Sequence, residues 1–412
     1  MEYIALRSGS VMGTVAAPPS KYAAHRLCIA AALAGVMERV ELGNGEPAQD
    51  IIATRTCLAA LCAPQAGVAQ CNALESGSTL RFLLPVAAAL GRECVFFGEG
   101  RLPERPLEPL LSLLRGHGVT VEGERLPLRL HGQLQAGAYA LPGNISSQYL
   151  SGLLFALPLL QGESEIRLIT PLESAGYVAM TLQTLARFGV QIHIPEPGVY
   201  GIPGGQRCRT EEARLAPEGD WGGAVFWMAA AALAGKVDIT GLDLQSAQPD
   251  AAALSLLERM GAVAEKHAGT LRIARAALRA TELDASGCPD LVPIAAVLMA
   301  LAAGESRIYN AARLRSKESD RLAAMAQNLN ALGAQVRELP DALIIRGVEA
   351  LRGGTAEGFN DHRIAMAMGV AALRADGAVR LRGSDCVRKS YPAFWADYAR
   401  LRGEEKNEFF VW

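Results

Sequence analysis

No two of the eight cysteines in this 412-residue chain form a CxxC pair; they are scattered singly, which argues against both a metal cluster and a disulfide scaffold. They suit reduced, mostly buried thiols. Charge of one sign is not in excess either. Forty Lys and Arg stand against 42 Asp and Glu, a net charge of −2, so no global basic field draws the chain to nucleic acid or to a membrane surface. Neither a GxxxxGK[ST] loop nor a GxGxxG following a strand is present, which removes ATP and dinucleotides as default cofactors. No basic-then-apolar leader opens the sequence, and the uncharged run Leu291–Gly304 is too short to cross a bilayer. The expectation is a soluble, cytoplasmic α/β protein of two or three domains.

What the chain does contain is repetition. Six stretches begin with a short polar or charged segment, continue through small apolar residues and close on Gly: Ser20–Gly35, Ser76–Gly91, Ser146–Gly162, Asp220–Gly235, Pro289–Gly304 and Asp361–Gly377. Their closing glycines fall 56, 71, 73, 69 and 73 residues apart, a period that implies repeated supersecondary units. Helices apolar on every side are buried helices. Between them lie helical patterns at Pro106–Arg115, Tyr177–Phe188, Ala251–Met260 and Ser319–Leu332, each running through Gly toward a short β-branched strand. Further strands are expected at Ile166–Ile169, Val237–Ile239, Ser306–Tyr309, Leu343–Ile345 and Val379–Leu381. The tail Gly403–Trp412, charged and then aromatic, receives no assignment.

The informative residues are those at the helix starts, where free N–H groups and the dipole favour anions. Lys21 and Arg26 open the first stretch, and Arg81 follows Ser76-Gly77-Ser78-Thr79. Then come Arg101, Arg105, the pair Ser146-Ser147 with Gln148, Asp290, Lys317-Glu318-Ser319-Asp320-Arg321, Asp361-His362-Arg363 and Lys389. A slightly acidic chain with basic loop-to-helix corners suits a small ligand carrying several negative charges, phosphate or carboxylate. Asp290, Glu318 and Asp361 would share that site. Neighbouring cations lower a carboxylate pKa and burial raises it, so a proton-donating Glu318 needs burial or a hydrogen bond.

Ten ordered segments carry a resemblance: PPSKYAAHR (18–26), ESGSTLRF (75–82), RLPERP (101–106), NISSQYL (144–150), ESAGY (173–177), EGDW (218–221), CPD (288–290), SKESDR (316–321), FNDHRIAM (359–366) and RKSYP (388–392). Together they resemble the 5-enolpyruvylshikimate-3-phosphate synthase family over essentially the full length. The resemblance implies a two-lobed inside-out α/β barrel of six βαβαββ units, three per lobe, with buried helices. One lobe would span about 20–218 and bind mainly shikimate 3-phosphate. The other would comprise 1–19 and 219–412 and bind mainly phosphoenolpyruvate, with the site at the helix N-termini in the cleft between them. The implied reaction transfers the enolpyruvyl group of phosphoenolpyruvate to the 5-hydroxyl of shikimate 3-phosphate, through a tetrahedral intermediate, releasing phosphate.

The resemblance also implies roles. Ser146, Ser147 and Ser174 would hold the 3-phosphate, with Gln148 and Tyr177 against the ring and Arg26 on the shikimate carboxylate. Lys21, Tyr22, Asp290, Arg313 and Lys317 complete that subsite. Lys21, Gly77, Arg105, Gln148, Arg321, Arg363 and Lys389 would surround phosphoenolpyruvate. Asp290 would serve the reacting hydroxyl and Glu318 the methylene proton, assisted by Lys21. Two small-molecule substrates and no metal or organic cofactor are implied, no nucleic acid or membrane partner is expected, and nothing suggests an obligate assembly beyond a monomer.

Two positions depart from the family. Tyr22 stands where Ser usually follows the lysine, and Arg313 replaces an Asn; on the sequence, Tyr22→Ser is expected to improve kcat/KM for shikimate 3-phosphate. Two rival readings are a UDP-N-acetylglucosamine enolpyruvyl transferase and a binding-only paralogue. The first normally has Asn after the lysine and a reactive loop Cys, whereas Cys94 here lies in a strand-like run.

Overall fold

The computed structural model describes residues 3–43, 45–64, 67–267, 269–404 and 410–411. The chain divides into two compact units: an N-terminal unit, Lys21–Pro217, and a C-terminal unit, Met1–Ser20 with Glu218–Trp412. Among the described residues, twelve α-helices alternate between two kinds. The first of each pair are α1 (Lys21–Leu33), α3 (Gly77–Ala89), α5 (Ser147–Ala156), α7 (Trp221–Ala234), α9 (Val292–Ala300) and α11 (His362–Ala372). Their partners are α2 (Gln49–Leu61), α4 (Leu110–Gly116), α6 (Ala175–Arg187), α8 (Ala252–Met260), α10 (Arg321–Ala331) and α12 (Phe394–Arg402).

The first kind are buried as their composition requires. Every residue of α7, α9 and α11 is buried, and the apolar side chains of each unit form one continuous core. The partner helices show an amphipathic pattern instead: α8 buries Ala253, Leu256, Leu257 and Met260, the i, i+3, i+4, i+7 stripe. Some boundaries move inward from the sequence expectation. Helix α4 starts only at Leu110, since Pro106 and Pro109 supply no N–H to a preceding turn, and α11 ends at Ala372 because a strand begins at Ala375. Gly235, which closes α7, has extended backbone (φ 175°) and owes its identity to packing: a Cβ there would stand 1.8 Å from the Val11 carbonyl oxygen.

Among the described residues, five four-stranded sheets repeat one pattern: a parallel pair, then two antiparallel neighbours. One sheet orders Ala69–Asn72, Cys94–Phe97, Leu128–Gly132 and Val119–Glu122, around helices α3 and α4. Ala138–Leu141 and Glu282–Asp284 open two more of the same kind. The remaining two borrow strands from the chain's beginning. Val11–Ala16 pairs in parallel with Gly235–Thr240, and Tyr3–Leu6 lies antiparallel to Ala375–Arg382. Phe410–Val411 pairs with Tyr3 and Ile4; residues 405–409 and 412 of the tail lie outside the described residues. Helices α1 and α2 form the sixth unit, where a single bridge, Val40–Leu215, stands in place of a sheet among the described residues. Among the described residues no helix is long and apolar enough to cross a membrane.

Candidate active site

In the N-terminal unit the polar side chains gather where α1, α2, α3, α5 and α6 begin. Lys21 Nζ is buried and donates to Asp50 Oδ2 of α2 at 2.9 Å. Arg26, one turn along α1, is 2% exposed; it donates to Thr181 Oγ1 (2.9 Å) and to the carbonyls of Tyr22 (2.8 Å) and Tyr177 (2.7 Å). Burial lowers its pKa to about 10, with Tyr177 and Tyr22 opposing the shift. His25 beside it is neutral, since burial, then Lys21 and Arg26, push its pKa well below the usual value. The Tyr22 and Tyr177 rings pack together at 4.8 Å, and Lys21 Nζ sits 5.7 Å from the Tyr22 centroid.

Helices α3 and α5 contribute a second group. Ser76 and Ser146 cap them, accepting from Thr79 N and Gln148 N. Gln148 bridges Arg81 Nη1 and Ser78 Oγ, each at 2.8 Å. The Arg105 guanidinium occupies the place a side chain at Gly77 would need, because a Cβ there would meet Arg105 Nη1 at 2.7 Å. Ser174, the residue before α6, is buried and left-handed (φ 55°), strain of the kind held at functional sites.

In the C-terminal unit the centre is Arg321, the first residue of α10 and 1% exposed. Its Nε donates to Asp361 Oδ2 (2.8 Å), Nη1 to Asp290 Oδ1 (2.6 Å) and Nη2 to Glu318 Oε2 (2.9 Å). Burial opposes its charge, yet Asp361, Glu318 and Asp290 outweigh burial and hold its pKa above the ordinary value. Asp361 also caps α11 through Arg363 N and accepts from Ser319 Oγ, each at 3.0 Å. Lys317 Nζ lies 3.6 Å from Asp290 Oδ1, and Arg363 Nη2 lies 3.6 Å from Asp290 Oδ2. Lys389 Nζ donates to the Asn360 carbonyl at 2.6 Å; Phe359 and Asn360, just before α11, are both left-handed (φ 52° and 51°). Asp290 is thus approached by three cations, and Glu318 shares one of them.

The family model for EPSP synthase (3-phosphoshikimate 1-carboxyvinyltransferase) matches residues 63–398. The 3-phosphoshikimate 1-carboxyvinyltransferase of Clostridium acetobutylicum is 41% identical, over 98% of both chains. That of Clostridium perfringens (strain ATCC 13124) is 39% identical, over 99% of this chain and 100% of its own. The chain belongs to the EPSP synthase family. In fold it is similar to the EPSP synthase of Acinetobacter baumannii, with a TM-score of 0.79 at 24% identity, covering 98% of this chain and 99% of that one. The enolpyruvyl transferase NikO of Streptomyces tendae has the same fold, with a TM-score of 0.76 at 19% identity over 97% of each.

For a member of the EPSP synthase family, two groups are nevertheless unexpected from the motifs. Asp50, the partner of Lys21, and Thr181, the acceptor from Arg26, lie outside all ten matching segments. Repeat symmetry was the available signal for Asp50: PAQD (47–50), running into the first turn of α2, mirrors AQPD (247–250) ahead of α8. Cys94 is buried in the strand Cys94–Phe97, where burial pushes its thiol up to about 12, unlike a reactive loop thiol. Arg313 donates to the Ser286 carbonyl at 2.8 Å, its fork turned partly to its own unit's backbone.

Tyr22 changes the expectation drawn from the sequence. Its ring is only 8% exposed and braces Tyr177. Tyr22→Ser should therefore lower stability by roughly 2–4 kcal/mol, as truncation of a packed aromatic does, and raise KM for shikimate 3-phosphate. Tyr22→Phe, which keeps the ring against Tyr177, should lower stability less than Tyr22→Ser. Urea unfolding and steady-state kinetics of both variants check this, and an improved KM in Tyr22→Ser would restore the sequence-based view.

Proposed function

We propose that the protein transfers the enolpyruvyl group of phosphoenolpyruvate to the 5-hydroxyl of shikimate 3-phosphate and releases phosphate. Family membership supports the reaction; the observation that carries the assignment of chemistry is Arg321 tying Asp290, Glu318 and Asp361 into one buried charged cluster. In this reading the N-terminal unit mainly binds shikimate 3-phosphate through Lys21, Arg26, Ser146, Ser147, Gln148, Ser174 and Tyr177. Arg105 and Gly77 of the same unit, with Arg321, Arg363 and Lys389 of the other, serve phosphoenolpyruvate. Asp290 accepts the proton of the attacking hydroxyl as its oxygen bonds to C2 of phosphoenolpyruvate, and protonated Glu318, assisted by Lys21, delivers its proton to C3. Glu318, assisted by Lys21, then removes a C3 proton as the C2–O bond to phosphate breaks. Both substrates are polyanions, so neutralising and orienting them is much of the catalytic task. A cytoplasmic monomer fits this reading.

Incubation with phosphoenolpyruvate and shikimate 3-phosphate, with phosphate release as the readout, tests it. Release only with UDP-N-acetylglucosamine as acceptor would reassign the acceptor, and no release with either would leave a binding protein.

A further inference from the structure

One ionisable group among the helix starts of the C-terminal unit has no part in the steps above. Asp250 lies in the turn Pro249–Ala251 that leads into α8 and is fully buried. Among the described residues, neither of its carboxylate oxygens finds a hydrogen-bond donor. Its counterpart in the N-terminal unit, Asp50, is bonded to Lys21 at 2.9 Å. Asp250 instead faces Arg363, whose Nη2 stands 3.7 Å from Oδ2, beyond hydrogen-bond reach. Gly222 keeps the two face to face, since a Cβ there would lie 2.8 Å from both of those atoms. Arg363 Nη1 is held by the carbonyls of Gly222 and Asp290, at 3.3 and 3.2 Å. The guanidinium is therefore fixed by backbone, while Asp250 balances its charge without consuming its donors.

We propose that Asp250 is a proton-accepting counter-charge for an anion bound at Arg363: ionised while it balances the guanidinium, it takes up a proton from solvent when a ligand anion claims that guanidinium. The inference rests on Arg363 being a ligand-binding cation, as in the function proposed above. The groups around Asp250 come from every neighbouring helix start. Arg363 of α11 and Arg321 of α10 favour its ionised form, while Asp290 ahead of α9 and Asp220 at the start of α7 oppose it. Cys288 stays neutral, its thiol pushed up to about 12 by burial and then by Asp250. Burial dominates this balance and places the Asp250 pKa at about 7. A further anion against Arg363 offsets part of the larger of the two favourable contributions and raises that affinity for protons again. By reciprocity, anion binding weakens as pH rises through neutrality.

Sulfate is the probe, because it does not itself titrate across roughly pH 6–8.5, the range bracketing such an ionisation. It needs no turnover, so the test stands even if the proposed reaction fails. Calorimetry in buffers of different ionisation enthalpy should show proton uptake on sulfate binding to the wild type. The dissociation constant should rise about tenfold across the range, the equivalent of one pKa unit. Asp250→Asn should abolish the uptake, flatten the profile and bind sulfate more tightly than wild type at the alkaline end. A purely structural Asp250 would give the opposite sign there, and weaker binding in the variant overturns the proposal. So does an unchanged pH profile in Asp250→Asn, which would assign the titration to another group such as His362. Should that variant not fold, Asp250→Ala serves in its place, and a flat wild-type profile alone is sufficient to overturn the proposal.

Discussion

Glu318→Gln should keep substrate binding and lose roughly 10²–10⁴-fold in turnover, the usual contribution of a positioned acid–base group. The amide has the shape of the carboxylate, and its oxygen can still accept the 2.9 Å bond from Arg321 Nη2. What it cannot do is exchange a proton with the C3 carbon of the substrate. Because Arg321 keeps its bonds to Asp361 and Asp290, the cluster should survive the change and the unfolding midpoint should stay close to wild type. The measurements are kcat in the phosphate-release assay and shikimate 3-phosphate affinity by calorimetry. A variant turning over near the wild-type rate would remove Glu318 from the chemistry.

The buried helices and the caps at their starts were legible because both rest on local rules. Ala- and Leu-rich runs closing on Gly can only be core, and Ser76, Ser146, Asp220 and Asp361 cap their helices as such residues do. Pairing across the chain was not legible. Nothing in Tyr3–Leu6 or Val11–Ala16 says which sheets they complete some two hundred or more residues away. Nor does the short spacing between α1 and α2 reveal that their unit keeps one bridge where the others have a sheet. The same limit hid Asp50, which looks like an ordinary first-turn acid of α2 until Lys21 is placed beside it. The packing of Tyr22 was out of reach for a related reason: a comparison of side-chain chemistry at one position cannot show that the ring lies on Tyr177.

Arg321 carries the largest expected effect on stability. Arg321→Ala would leave Asp361, Asp290 and Glu318, three carboxylates bonded to one guanidinium, facing each other in a site where that arginine is 1% exposed. Breaking a buried ionic cluster from one side costs about 3–5 kcal/mol, since the charges left behind stay desolvated. Asp290 would keep Lys317 and Arg363 at 3.6 Å, and like charges left close together in a buried site favour protonated carboxyls. A raised acid pKa contributes stability at low pH and loses it as pH rises, so the deficit against wild type should be larger near pH 8 than near pH 5.5, by about 1 kcal/mol or more per shifted group. Arg321→Lys should fall between the two proteins. It keeps one positive charge, but an ammonium is a point donor and cannot span three acceptors as the planar fork does. Urea unfolding at the two pH values separates these cases. If Arg321→Ala were as stable as wild type at the higher pH, the three carboxylates would have other counter-charges at hand, and Arg321 would be a ligand cation with no share in holding the unit together.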